Sequence, residues 1–157
     1  MKHRLVFEIV MACSLIAIAI IDPPRTFAVL GEPVSSVEMD RLALAGQLQM
    51  IPSQHYTIQE ITASDFVVRE YVSGDTVFAV AWRGRRPPNL ASLLGAYFQE
   101  YQEASSAAAS TGPVRRRGTR IQAPHLVVET GGHAGDIRGR AYIPSLLPPG
   151  VTTEMIQ

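Results

Sequence analysis

From Tyr56 to Trp82 apolar and polar positions alternate with a period of two, and β-branched and aromatic residues are dense. That pattern predicts strands whose side chains point alternately to two faces of a sheet. Three strands fit it: Tyr56 to Thr62, Phe66 to Ser73 and Thr76 to Trp82. The links Ala63-Ser64-Asp65 and Gly74-Asp75 are so short that they can join only antiparallel neighbours. In the third strand Thr76, Phe78, Val80 and Trp82 fall on one face, with Val77, Ala79 and Ala81 opposite. Both faces are apolar, which predicts a central strand.

The period then changes to that of a helix. After the breaker Gly84-Arg85-Arg86-Pro87-Pro88, Asn89 is a good N-cap for a helix from Leu90 to about Ala104. Leu90, Leu93, Leu94, Tyr97, Phe98 and Tyr101 make one wide apolar stripe, with Gln99, Glu100 and Glu103 outside it. Such a stripe belongs against a sheet, and it reads as core rather than as a cofactor box. Upstream, Ser35-Ser36-Val37-Glu38 fits a capping box, and Val37, Leu44 and Leu48 recur at helical spacing, predicting another helix from about Ser36 to Met50. Residues 104–120, "ASSAAASTGPVRRRGTR", are poor in large apolar groups and predict an exposed flexible loop. "HLVVET" and "IRGRAYI" read as two more strands around a Gly-Gly-His turn, and the tail from Pro144 as irregular. The fold so predicted is α+β, in the order α-β-β-β-α-β-β. It has an antiparallel sheet of about five strands with the main helix packed on one face.

The first residues read differently. Lys2, His3 and Arg4 precede an apolar run to Ile21 that is shorter than the ~20 residues a membrane-crossing helix needs, and Pro23-Pro24 follows. This predicts a signal peptide over residues 1–28, cut after Thr26-Phe27-Ala28, and one globular domain over 29–157. No stable membrane anchor remains after that cut. A lipid on Cys13 is the weaker alternative, because the stronger apolar stretch follows Cys13 instead of preceding it. The chain is then exported, to the periplasm foremost or beyond the cell. Cys13 is its one cysteine, so the exported part has neither an internal disulfide nor a thiol nucleophile.

Charge narrows the function classes. Fourteen Lys and Arg balance 14 Asp and Glu, so no general attraction to nucleic acid or anionic lipid follows. Arg115, Arg116, Arg117 and Arg120 lack interleaved aromatic residues and read as a solvated loop. His55, His125 and His133 occur without an HExxH motif or a cysteine pair, so no metal site or cofactor is assigned. No Gly-x-Ser-x-Gly elbow is present. Gly131-Gly132-His133-Ala134-Gly135 has no P-loop ending, and no predicted helix follows it to receive phosphate. What remains is a candidate binding surface of His133, Arg138, Arg140 and Tyr142, next to the proline-rich tail. Arg138 and Arg140 flank Gly139 on one face of a strand, and burying that face requires acids such as Glu129 or Glu70. Gly139 itself, inside a strand, marks a bulge or a close backbone approach.

The segments "SSVEMD", "IQEI", "VVREYVSGDTVFAVAWRG", "PPNLASLLGAYFQEYQ", "HLVVETGGH" and "GRAYIPSLLPPGV" together resemble a bacterial family of exported proteins known as domain of unknown function 2844. The resemblance spans nearly all of the expected exported chain, including Leu30-Gly31, and implies almost nothing about activity. The turn Ser73-Gly74-Asp75 is shorter than is usual in that family, Gly84-Arg85 stands where Gly-Pro is expected, and "AGDIR" is less aromatic. The leading expectation is a non-enzymatic binding or structural module with a protein partner in the cell envelope. A small hydrolase or metal enzyme using His133 with Asp136 or Glu129, and an inhibitor of an envelope enzyme, are the alternatives; nucleophilic hydrolysis would draw on the trio Ser145, His133 and Asp136.

Overall fold

The structure, a computed structural model, describes residues 30–36, 41, 45–110 and 118–157. The expected signal peptide, Cys13, Val37, Leu44 and Arg115 to Arg117 lie outside them. The fold is mostly β, a seven-stranded antiparallel sheet with one helical segment and short 3-10 turns among the described residues. The strands are β1 Gln47–Pro52, β2 Thr57–Thr62, β3 Phe66–Ser73, β4 Thr76–Gly84, β5 Gly118–Gln122, β6 Val127–His133 and β7 Asp136–Tyr142. Helix α1, Leu90–Leu94, and helix α2, Phe98–Ser110, are joined by a 3-10 turn at Gly95–Tyr97. The spatial order β1-β2-β3-β4-β7-β6-β5 shows that the chain meanders to β4 and crosses along the helical segment to the far edge. It then returns inward by hairpins, so β7 pairs with β4.

The α+β expectation with about five strands and two helices is therefore corrected at both edges. Ala45 adopts φ +48° and the Gly46 amide donates to the Arg41 carbonyl at 3.0 Å, a bond that closes a helical turn. The next residues pair with β2 as strand β1, so the helix expected to reach Met50 cannot extend past Gly46. Residues 104–110 continue α2 rather than forming a flexible loop, in keeping with the strong helix propensity of alanine. Residues 118–120 belong to β5, whose one buried residue, Ile121, leaves almost no pattern to read.

The remaining expectations agree with the structure more closely. The three strands from Tyr56 to Trp82 and their antiparallel pairing are present, β4 is the fourth of seven strands, and the Asn89 side chain accepts the Ala91 amide at 3.1 Å. One detail of β4 differs. Tyr71 pairs with Ala79 and Val72 with Val77, so Phe78 is the extra residue of a β-bulge. The bulge interrupts the alternation. Phe78 joins Ala79 and Ala81 on one face, while Val77 joins Val80 and Trp82 on the other.

The sheet accordingly carries two cores. On the helix side, Ile61, Val68, Val80, Trp82, Val128 and Ala141 pack with Leu30, Leu93 and Leu94. Leu90, Tyr97, Phe98 and Tyr101 of the predicted stripe lie against them. On the opposite side Tyr71, Phe78, Ala79, Val127 and Tyr142 pack beneath Val151 and Ile156 of the C-terminal tail. The expected irregular tail is thus the second cover of the sheet.

Gly139 has a packing reason. It lies directly across from Trp82, and a Cβ there would come within 2.3 Å of the indole and 2.7 Å of the Glu129 carbonyl oxygen. The bare backbone lets the ring lie over the strand. Gly132, with φ +117°, is equally constrained, since a Cβ would meet the Asp136 carbonyl oxygen at 2.1 Å. Replacing Gly139 by alanine is expected to cost about 1–3 kcal/mol through overpacking, read as a lower urea midpoint and a shifted emission of Trp82.

Candidate functional site

The side of the sheet that the tail covers is only partly closed, and a ladder of cross-strand neighbours forms what is left. Residues directly opposite in an antiparallel pair share a face. One row across the sheet is Glu60, Arg69, Ala81, Arg140, Glu129 and Arg120. The adjacent row brings Val67, Arg83, Arg138 and Gly131 together. Ala81 is the small residue between two arginines, and its short side chain leaves a depression that four guanidinium groups surround. Ile156 and Gln157 line it as well, giving a groove of about 570 Å³.

The arginines differ in how they are held. Arg69 donates to Glu60 at 2.7 Å and to the backbone oxygen of Gln157 at 2.9 Å. The hydrogen bond to Glu60 favours the charged guanidinium, against the cost of partial burial, and raises its pKa. Arg140 donates to Glu129 at 2.7 Å, to the Ile156 carbonyl at 3.1 Å and to the Thr153 carbonyl. It is the clamp that fastens the tail to the sheet. Tyr71 adds to that clamp, its hydroxyl donating to the Gln157 oxygen at 2.8 Å and lying 2.9 Å from the Gln157 amide nitrogen. Glu129 also receives Arg120. Arg83 forms a forked pair with Asp136, at 2.8 and 3.2 Å. Arg138 makes no ion pair with any described residue, although it faces Arg83 directly across the strands.

Of the four residues expected to form one surface, Arg138 and Arg140 both line this groove, and His133 and Tyr142 do not. His133 is exposed at the end of the β6–β7 hairpin, its Nδ1 3.1 Å from the Ala134 carbonyl oxygen. Tyr142 is 3 % exposed, part of the core beneath the tail, with its hydroxyl 3.4 Å from an Arg120 nitrogen. Glu129 is the acid that allows Arg140 to be partly buried. Glu70 lies on the opposite face, in line with Val80 and Gln59, fully buried on the helix side. Arg69, Arg83 and Glu60 had no signal of their own in the sequence. They join the site because β2, β3 and β4 align them with β7.

The hydrolase arrangement does not assemble. His133 and Asp136 end and begin the two hairpin strands, but Ser145 follows the far end of the seven-residue β7, roughly 20 Å along at strand rise. Asp136 is already paired with Arg83. His125 lies at the other end of β6 from His133, its amide donating to Glu100 of α2 at 2.6 Å. Among the described residues no three His, Cys, Asp or Glu side chains converge as metal ligands.

The family segments fall at the joints of this architecture. The Leu30 amide donates to the Leu93 carbonyl and the Gly31 amide to the Val77 carbonyl, tying the Leu-Gly dipeptide between helix and sheet. Gly-Gly-His ends β6 just before the Ala134-Gly135 turn of the β6–β7 hairpin, and Gly-Arg-Ala-Tyr carries the glycine under Trp82, the tail clamp and two core residues. A match to the family described as "Protein of unknown function (DUF2844)" covers residues 26–156. The chain belongs to the DUF2844 family. No curated protein and no solved structure matches it. The DUF2844 segments therefore have structural duties here, and the groove beside the clamp is the part of the surface whose chemistry is in excess of them.

Two measurements separate clamp from groove. Arg140→Gln is expected to lower stability by about 1–3 kcal/mol, since charge-assisted bonds to two tail carbonyls and Glu129 are lost, and to expose residues 144–157 to faster amide exchange. Arg138→Gln is expected to stay within about 0.5 kcal/mol of the parent in the same urea titration. The Arg83 hydrogen bond is also the main cause that holds Asp136 below the ordinary aspartate range, with the charges of Arg83, His133 and Arg138 adding to it. The stability this pair contributes is present above the unfolded-state pKa of about 3.9 and is lost as pH falls through the lower folded value. NMR titration should place the Asp136 midpoint below that of a free aspartate, and Arg83→Gln should move it upward.

Proposed function

We propose that this DUF2844 chain is a non-enzymatic binding module of an exported bacterial protein, with the groove around Ala81 as its binding site. The observation that carries the reading is Arg138. It is a guanidinium without an ion pair, placed beside a second arginine at the edge of a concave surface. Structural arginines on a sheet are paired, as Arg69, Arg83 and Arg140 are; a cation that folding does not employ is available to a ligand. The separation of His133 from Ser145, and the commitment of Asp136 to Arg83, favour binding over hydrolysis.

Export is supported by the basic and apolar start of the chain and by the position of Leu30. Two residues past the expected cut, Leu30 is buried between helix and sheet, so the expected exported part carries this core residue with it. Among the described residues no helix is long and apolar enough to cross a membrane.

The test uses the tagged full-length protein expressed in a bacterium and recovered from the periplasmic fraction. Its N-terminus is expected at Val29. Mixed with envelope extract, it should retain a component, detected by mass spectrometry, that Arg138→Gln does not retain. Equal retention by both proteins removes the groove from the reading.

A further inference from the structure

The charges around the groove specify a class of ligand, an assignment that rests on the binding-module reading. Arg83 and Arg138 are direct cross-strand neighbours on the same face. Like charges in that position, with Cβ atoms about 5 Å apart, repel, and Asp136 offsets this only in part, paired with Arg83 and within reach of the charge of Arg138. Asp136 is the one carboxylate among the described residues that serves them, and it is engaged with Arg83. Glu60 is taken by Arg69, and Glu129 by Arg140 and Arg120. Each acid around the groove thus has an arginine, Glu129 has two, and Arg138 is the groove arginine that has no ion pair.

Three features describe what would neutralise it. The group without an ion pair is one guanidinium, and Glu60, Glu129 and Asp136 stand around it, so a second negative charge on a ligand would be repelled. The free group is a planar fork of N–H donors, which matches the two oxygens of a carboxylate. The surface beside it includes the apolar Val67, with Ala81 at its floor, and the volume of about 570 Å³ is that of a small-molecule site. We infer that the groove takes a small organic acid, its one carboxylate on Arg138 at the Arg83 side and its apolar body over Ala81 beside Val67.

The orientation follows from the clamp. Arg140 and Arg69 hold the tail at one end of the groove, so the backbone around Ile156, whose side chain is buried, closes that end, while Arg83 and Arg138 lie at the other. A ligand that enters acid-last places its apolar part where water is least replaceable and its charge where the unpaired cation lies.

Benzoate is a suitable probe, with benzamide as its neutral counterpart and phenyl phosphate as the dianion of similar body. Each is titrated into the protein while the Ala81 methyl and Arg138 Nε–Hε signals are followed by NMR. Benzoate is expected to shift both signals to saturation, and benzamide and phenyl phosphate to bind at least about tenfold more weakly. Arg138→Gln should weaken benzoate by about tenfold or more, whereas Arg85→Gln, an exposed arginine outside the groove, should leave it unchanged. Benzamide binding as tightly as benzoate, phenyl phosphate binding more tightly, or benzoate binding unaltered in Arg138→Gln would overturn the assignment. If benzoate does not bind while a component of envelope extract is still retained through Arg138, the ligand class is wrong and the binding-module reading stands. If neither occurs, both fall.

Discussion

A strand that is apolar on both faces has to be covered twice, and β4 imposes that requirement on the whole molecule. Val77, Val80 and Trp82 demand a cover on one side, and Phe78, Ala79 and Ala81 demand one on the other. The helical segment meets the first demand with a stripe of six apolar residues. The C-terminal tail meets the second with three, Leu147, Val151 and Ile156, and is held by polar contacts as well. The unequal quality of the two covers explains why one side of the sheet is sealed and the other keeps a groove.

The tail is short of apolar contact, and the clamp compensates. Arg140, Arg69 and the Tyr71 hydroxyl take up backbone groups between Thr153 and Gln157 that would otherwise lose water without gaining partners. Burial raises the Tyr71 pKa, and its hydrogen bond to Gln157 opposes that rise. Glu129 is the hinge of this arrangement: it balances Arg140 inside and Arg120 outside, so the only arginine of the groove left without a carboxylate is Arg138. The same residues that fasten the tail consequently shape the wall of the groove, so the clamp and the proposed binding position are neighbours on β7.

Much of the interior was legible from the chain. The strands from Tyr56 to Trp82, the Asn89 cap and the stripe from Leu90 to Tyr101 rest on dense apolar periodicity, which sequence displays directly. The two edge strands were not legible, for one reason in two forms. β1 has a mostly exposed pattern that also fits helical spacing, and β5 buries a single side chain. An edge strand is specified by the neighbour it pairs with, and its own residues need carry little signal. Gly139 is a middle case: its place inside a strand announced a close approach, but the approaching group, Trp82, could be named only once β4 and β7 were adjacent.

The candidate site divides in the same way. Residue order alone put Arg138 and Arg140 on one face of a strand and demanded an acid for them, because buried charge needs a partner. It also supplied the central position of β4 and the helix stripe, which depend on neighbours a few residues apart, whereas Gly-Gly-His, expected as a turn, ends strand β6 and the turn falls at Ala134-Gly135. Which acid answers which arginine depends instead on register across five strands, from Glu60 in β2 to Glu129 in β6. Cross-strand register brings residues from distant parts of the chain into one row, and no local pattern encodes it. That register turned one pair of arginines into four around an alanine, gave three of them partners, and left Arg138 as the charge that folding does not use.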